Sequence, residues 1–400
     1  MCDSLTVVFP IKRKESEVQE GENFPARYLV QMDNNGELGN PFSRWQSVRS
    51  PLTGESFRIR TIHNVINGQH CMVQGYEVEI NPPACLIGNN LLLSNSVYMA
   101  VTGTLKLLQY WLLTQGCTHN EIKLLSTRTA RIKSATLTYL VECTGKNDAH
   151  VARRELGLHA AALKNKKIRA KPLLRNLVFS IGNDEEATVY MKHHDYSITA
   201  YVKDNPVGGA SSWFASRDIE IALRNEARKY LRVEIKFGEK WLDNNDRNSG
   251  SSWKVADGFN PYDVGIATIR EYLRLDENLR IRKPKREHLH CLSKDERKVL
   301  SWHLKGNNAK ENELFRGCID AKFYPMRIRI LRKLRIDLGI PWRVQNSELR
   351  PRLNQLLAVE HRYKPPRELA ERVYGPSSVK VAIGRLKELI SKRKEALEGD

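Results

Sequence analysis

Alternating apolar and polar positions in the first 280 residues predict several β-strands. Gly75 to Ile80 places Tyr76, Val78 and Ile80 on one side and two glutamates on the other. Leu231 to Lys236 alternates in the same way, and Ala187 to Lys203 predicts a hairpin that turns near His193. Because side chains alternate across a strand, each of these strands has one apolar face for a core and one polar face.

Helical periodicity separates these strands. Asn95 to Gln115 carries an apolar stripe and ends before Gly116, and Ser216 is a suitable N-cap for a helix that runs to about Tyr230. Antiparallel strands with helices packed on them predict an α+β domain, for which we expect residues 1–285.

The remainder of the chain has mainly helical patterns. Ser293 and Glu296 form a capping box, and an apolar stripe runs from about Lys322 to Leu338. This order of short helices predicts an all-α helix-turn-helix module over residues 286–345. A helical tail is expected over 346–400, with its main apolar stripe after Ser377. The pattern leaves open whether that stripe packs on the module or forms a homodimer contact.

Charge narrows the class of partner. The net charge is +19, and residues 281–400 contribute +14 of it. Such an excess favours nucleic acid or an anionic membrane surface as partner. A run of about 18 apolar residues is missing, so we expect no membrane span. Seven widely spaced cysteines without a CxxC pair, and a start without a secretory signal pattern, fit a cytoplasmic protein.

The predicted third helix of the module is strongly basic on its polar face. We expect this helix to contact DNA in the major groove or along the phosphates, although a bundle helix with a solvated basic face has the same pattern. The candidate DNA-binding residues are Lys322, Arg327, Arg329, Arg332, Lys333 and Arg335.

A second group of candidates lies on the polar strand faces. Tyr201 and Lys203 share one face of the hairpin, which is a common arrangement on a solvated sheet. A tyrosine hydroxyl can also attack a phosphodiester when a base accepts its proton and a cation neutralises the phosphate. Carboxylates on adjacent strands can hold Mg²⁺ or Mn²⁺, and Glu79 and Glu234 have the required strand parity. Structural salt bridges are the alternative for both glutamates.

Five segments in order along the chain resemble one family, the gene II/X-type replication initiators of filamentous phages and related plasmids. They are the opening strand Met1 to Pro10, Val78 to Ala84 followed by Gly88-Asn89-Asn90, Ala200-Tyr201-Val202-Lys203, Leu231 to Lys236 with Trp241-Leu242, and Phe323-Tyr324 with Leu338-Gly339-Ile340. In this resemblance, Tyr201 matches the tyrosine nucleophile of the family.

The resemblance implies a rolling-circle replication initiator that acts in the cytoplasm of a bacterial host. Tyr201 would nick one strand at an origin, remain joined to the 5′-phosphate, and leave a 3′-OH for the host polymerase and its helicase. Mg²⁺ or Mn²⁺ is the implied cofactor, and origin DNA in duplex and single-stranded form is the implied partner.

Two positions depart from the family pattern. Lys133 stands where an aspartate is frequent, and Asn89 replaces a histidine. These departures favour the alternative of a non-catalytic DNA-binding regulator of replication or copy number on the same fold.

RNA binding is a third possibility, but the chain has no RNP-type aromatic motif. His288 and His290 have metal-ligand spacing, yet they lie in a basic linker, which favours solvated histidines.

Overall fold

A nine-stranded antiparallel sheet forms the centre of the computed structural model. The structure describes residues 2–12, 24, 28–29, 42–63, 73–91, 96–167, 176–180, 188–203, 217–253, 261–275, 279–347, 357, 368 and 379–398. The strands are β1 (Cys2–Pro10), β2 (Tyr28–Leu29), β3 (Phe42–Ser43), β4 (Gln46–Arg49), β5 (Ser56–His63), β6 (Val73–Ile80), β7 (Arg131–Glu142), β8 (Asn176–Ser180), β9 (Thr188–Lys192), β10 (Tyr196–Val202) and β11 (Tyr230–Phe237). The sheet order is β4-β5-β6-β1-β7-β11-β10-β9-β8, and β2 and β3 form a separate pair.

Eleven α-helices are present in the described part of the chain. They are α1 (Pro82–Ile87), α2 (Val97–Thr114), α3 (His119–Lys123), α4 (Lys146–Lys167), α5 (Arg217–Ala227), α6 (Glu239–Asn244), α7 (Pro261–Leu273), α8 (Lys294–Leu304), α9 (Tyr324–Leu334), α10 (Trp342–Asn346) and α11 (Val379–Glu398). None of these helices combines the length and apolarity needed to cross a membrane. The mixed α+β class expected from the sequence is confirmed.

The alternating strand patterns form the main core as expected. Leu231, Val233 and Ile235 are fully buried and belong to the same core as the apolar stripe of α2. Helix α4 contacts β9, β10 and β11, while α2 contacts β1 and β6. The predicted hairpin is present as β9 and β10, and its turn contains His193-His194-Asp195. Ser96 caps α2, whereas the N-cap expected at Ser216 lies outside the described residues.

A second core holds the helices after residue 285 and includes part of α4. Leu158, Ala161 and Leu163 of α4 are buried with Val299 of α8 and Ile330 of α9. Helix α11 packs instead on α2, and its Leu386 is fully buried in the main core. Helix α11, within the expected tail, therefore packs mainly on the helix layer of the sheet.

Helix α9 is shorter than the expected span from Lys322 to Leu338. Residues Ile319–Phe323 form a π-helical turn, and Pro325 lies in the first turn of α9, a position where proline is tolerated. Arg335 ends the helix with φ 64°, in the left-handed region. The helix therefore ends one turn before Leu338.

One expectation from the sequence is wrong: Arg327 was expected on the exposed basic face of the helix. This residue is buried, and its Nε and Nη2 atoms donate to Asp337 Oδ1 and Oδ2 at 2.5 Å and 3.0 Å. Gly339 N also donates to Asp337 Oδ1, at 2.8 Å. Arg327 thus ties α9 to the segment that follows it and is not available to a DNA phosphate.

Replacing Arg327 with Met should lower the free energy of unfolding by about 3 kcal/mol, because the buried Asp337 carboxylate loses its cation. The matched control is Arg332→Ala on the exposed side of the same helix, which should change that free energy by about 0.5 kcal/mol or less. Urea denaturation followed by tryptophan fluorescence measures both values. Equal unfolding free energies for the two variants would contradict a structural role of Arg327.

Candidate functional site

Tyr201 and Glu234 meet on the polar face of the sheet. Strands β10 and β11 pair in a register that sets Tyr201 opposite Arg232 and Thr199 opposite Glu234. All four side chains therefore point to the same side of the sheet. Tyr201 Oη donates a hydrogen bond of 2.7 Å to Glu234 Oε1, so the hydroxyl has a carboxylate positioned to accept its proton.

A buried arginine connects this pair to the first strand. Arg232 is only 1% exposed, and its Nε donates to Glu234 Oε1 at 2.7 Å. Its Nη2 lies 2.9 Å from Asp3 Oδ2, and its Nη1 donates to the Asn90 carbonyl at 2.7 Å. Burying a cation is costly unless carboxylates and hydrogen bonds compensate it, and both are provided here. We call Asp3, Tyr201, Lys203, Arg232 and Glu234 the Arg232 cluster.

The same surroundings change the acidity of Tyr201 and Lys203. Burial raises the pKa of Tyr201; the Arg232 cation opposes this increase, and the Glu234 carboxylate reinforces it. Burial lowers the pKa of Lys203 to about 8, and repulsion by Arg232 adds to the decrease. Since the pKa of Tyr201 is raised overall, the phenol is neutral in the free protein. A nucleophilic role for this phenol would require a base, and Glu234 is in contact with the hydroxyl.

Glu79 shares the polar face with Glu234 but lies far from it. Three strand spacings separate β6 from β11, and the register adds a further offset, which places the two carboxylates about 20 Å apart. Glu79 forms an ion pair with Arg58 on the neighbouring strand. The structure therefore brings together Tyr201, Lys203 and Glu234, but not Glu79.

The expected shared site for Mg²⁺ or Mn²⁺ does not fit these positions. Each glutamate already binds an arginine, and two carboxylates at this separation cannot contact one ion. In the part of the chain that the structure describes, no group of three His, Cys, Asp or Glu side chains is arranged to hold a metal. His288 and His290 lie in a 3₁₀ turn (Arg286–Cys291) rather than on a strand.

The two departures from the family pattern have structural roles here. Lys133 Nζ lies 3.3 Å from Glu77 Oε2, which Arg60 also contacts at 2.6 Å. Asn89 is buried, and its side chain accepts a hydrogen bond from Leu91 N at 3.2 Å. This turn holds the segment whose Asn90 carbonyl binds Arg232.

Sequence reasoning missed Asp3 and Arg232. Period-two alternation placed Arg232 on the same face as Glu234, so a signal for its position was present. In the sheet, only one strand lies between β11 and β1. The sequence pattern did not show this proximity, because more than 200 residues separate Asp3 from Arg232 in the chain. The contact between Arg232 and Asp3 is a consequence of that topology.

The other candidate DNA-binding residues have different surroundings. Lys322 and Arg332 are exposed. Arg329 and Lys333 are also exposed, but each lies 2.8 Å from a carboxylate oxygen of the buried Glu296. Arg335 is partly buried, which lowers its pKa, and it donates to the Leu331 carbonyl at 3.2 Å. Lys322 and Arg332 therefore remain the best placed of the six candidates to contact a phosphate.

The comparisons with known proteins identify no relative. No family model matches the sequence, and no curated protein or solved structure is significantly similar to it.

Glu296 should make the stability of the helical module depend on pH. Although burial alone would raise its pKa, hydrogen bonds from Lys333, Arg329 and Ser293 lower it to about 2. A carboxylate with a lowered folded-state pKa stabilises the protein above its unfolded pKa and loses that effect as the pH falls. We therefore expect Glu296 to contribute about 3 kcal/mol that is present above about pH 4.5 and lost on acidification to about pH 2.

Urea denaturation at pH 2, 3, 4 and 6 tests this dependence. Compared with the wild type, Glu296→Gln should show a flatter dependence of unfolding free energy on pH between 4.5 and 2. Glu311→Gln, which alters an exposed acid in the same module, is the matched control. A wild-type pH dependence in the Glu296 variant would contradict the assignment.

Proposed function

We propose that this protein nicks and rejoins one strand of DNA at a replication origin, with Tyr201 as the nucleophile. The observation that supports this best is the hydrogen bond between Tyr201 Oη and Glu234, in contact with the buried Arg232. The resemblance of five sequence segments to the gene II/X-type initiators supports the same reaction class.

The proposed reaction is a transesterification. Glu234 accepts the phenolic proton as Tyr201 Oη attacks the phosphorus atom. The new O–P bond replaces the bond from phosphorus to the 3′-oxygen, and this oxygen leaves and takes up a proton. The products are a 5′-phosphotyrosyl protein and a free 3′-OH. Attack by a 3′-OH on the phosphotyrosine reverses these steps and rejoins the strand, so the phosphodiester energy is conserved.

The two cations of the cluster have different proposed roles. Arg232 is almost inaccessible, so it acts as a positioning residue that holds Glu234 and compensates its charge. Lys203 is only partly buried and binds a phosphate oxygen in its protonated form. A bound phosphate favours that form and offsets the lowered pKa of Lys203.

The remaining parts of the proposal concern DNA binding and partners. The helical module binds origin duplex through Lys322 and Arg332, and the host polymerase and helicase extend and unwind from the free 3′-OH. The resemblance implies Mg²⁺ or Mn²⁺ and action in a bacterial cytoplasm. Because Glu79 and Glu234 do not form a common metal site, no step of the reaction is assigned to a metal ion.

Replacing Tyr201 with Phe should reduce nicking of supercoiled origin DNA to background, because the attacking oxygen is removed. Tyr190→Phe is the matched control: Tyr190 lies opposite Thr199 on the neighbouring strand and has no assigned role in the reaction. Gel assays of relaxed circular product measure nicking, and denaturing gels detect the covalent DNA adduct.

Normal nicking by the Tyr201→Phe protein would exclude Tyr201 as the nucleophile. If the wild type binds origin DNA but forms neither nick nor adduct, the protein is a non-catalytic regulator instead. Structured RNA bound more tightly than origin duplex would support the RNA-binding alternative.

The two glutamates should differ in their effect on nicking. Glu234→Gln should lower the single-turnover rate by about 100-fold, because an amide cannot accept the phenolic proton at neutral pH. Glu79→Gln removes an exposed ion pair and should leave the rate within about a factor of two. The rates are measured across pH 5 to 9, with melting temperature as a control for folding. Similar rate losses in both variants would contradict the role assigned to Glu234.

A further inference from the structure

Two arginines lie close to the ring of one tryptophan at the opposite edge of the polar face. The guanidinium carbons of Arg60 and Arg58 are 4.7 Å and 5.2 Å from the ring centroid of Trp45. Both arginines extend from β5, and Trp45 directly precedes β4, the edge strand. The indole is partly exposed, so part of its surface remains accessible to a ligand.

Carboxylates hold these arginines in place without removing them from solvent. Glu77 binds Arg60 and Glu79 binds Arg58, yet the Arg58 and Arg60 side chains remain 51% and 35% exposed. Lys133 lies beside Glu77, so three cations accompany two acids at this edge. The local excess is positive, and Arg49 of β4 adds another exposed cation.

The polar face between this edge and Tyr201 is lined with small hydroxyl side chains. Ser4 Oγ donates to Thr136 Oγ1 at 2.7 Å, and Ser134 Oγ donates to Thr6 Oγ1 at 2.9 Å. The strand order and register place Trp45 about 40 Å from Tyr201, diagonally across the sheet. The surface thus has an aromatic residue with cations at one end and the Arg232 cluster at the other.

We propose that this polar face binds single-stranded DNA and that Trp45 stacks on one of its bases. The inference rests on the proposed function, because nicking at Tyr201 provides the strand. Single-strand binding surfaces combine cations along the backbone with exposed aromatic rings, and both occur at this edge. Arg58 and Arg60 attract phosphates while they orient the indole. Stacking requires an unpaired base face, so this surface favours single strands over duplex.

Fluorescence anisotropy with labelled oligothymidine of 12 nucleotides tests the proposal. All measurements use the full-length protein in the Tyr201→Phe background, so that binding is separated from nicking. Trp45→Ala should weaken binding about tenfold, and Trp45→Phe should retain most of it. Trp302→Ala is the control, because this exposed tryptophan belongs to the helical module. Binding to a 12-base-pair duplex should be similar in all these proteins.

Ser47 provides a second test that leaves Trp45 intact. It is exposed on β4 directly opposite Arg58. Ser47→Glu should weaken single-strand binding severalfold, and Ser47→Lys should strengthen it, with a steeper salt dependence for the lysine variant. Unchanged single-strand affinity in Trp45→Ala and in both Ser47 variants would overturn the proposal, and so would an equal loss of duplex binding in Trp45→Ala.

The two proposals fail in different ways. If Tyr201→Phe still nicks DNA while Trp45→Ala loses single-strand binding, the nucleophile assignment is wrong and the binding surface is retained. If nicking depends on Tyr201 while the Trp45 and Ser47 variants bind normally, only the binding surface is rejected.

Discussion

The site depends on compensation of the buried positive charge of Arg232. This guanidinium contacts Asp3 on β1, Glu234 on β11 and the Asn90 carbonyl after α1, so three distant parts of the chain meet at one side chain. Removing either carboxylate would leave charge in a water-poor environment, which is far more costly than losing an exposed ion pair. The positions of Glu234 and Tyr201 follow from this requirement, since Glu234 Oε1 accepts from both residues.

Helix packing makes the sheet and the helical module structurally dependent on each other. Leu158 and Leu163 of α4 belong to the second core, while Ala152 and Leu156 of the same helix belong to the main core. Helix α11 covers α2, so the end of the described chain stabilises the helix layer of the sheet. The boundary expected at residue 285 therefore separates two sequence patterns but not two independent cores.

Local patterns predicted the elements well because period-two and helical repeats reflect burial directly. The strands around Val78, Val233 and Ile198, the α2 stripe and the Ser293 capping box are all present. The order of the strands in the sheet was not predictable. The alternation of side chains shows which face of the sheet a residue lies on, but not which strands are neighbours. The pattern therefore placed Glu79 and Glu234 on one face but could not show that they lie far apart. Arg327 was misplaced for a related reason: its partner Asp337 lies beyond the end of α9, where helical periodicity no longer applies.

If the protein acts as proposed, the distribution of compensated charge separates the region that holds DNA from the region that reacts with it. Arg232 within the sheet is matched by Asp3 and Glu234, so it contributes little net attraction for a polyanion. Residues 281–400 carry +14 of the total +19, which supplies long-range attraction. In the proposed reaction Arg232 acts through Glu234, because its own charge is already compensated and its side chain is almost inaccessible. Lys203 is then the cation of the cluster that would contact the phosphate and stabilise the charge that develops on it.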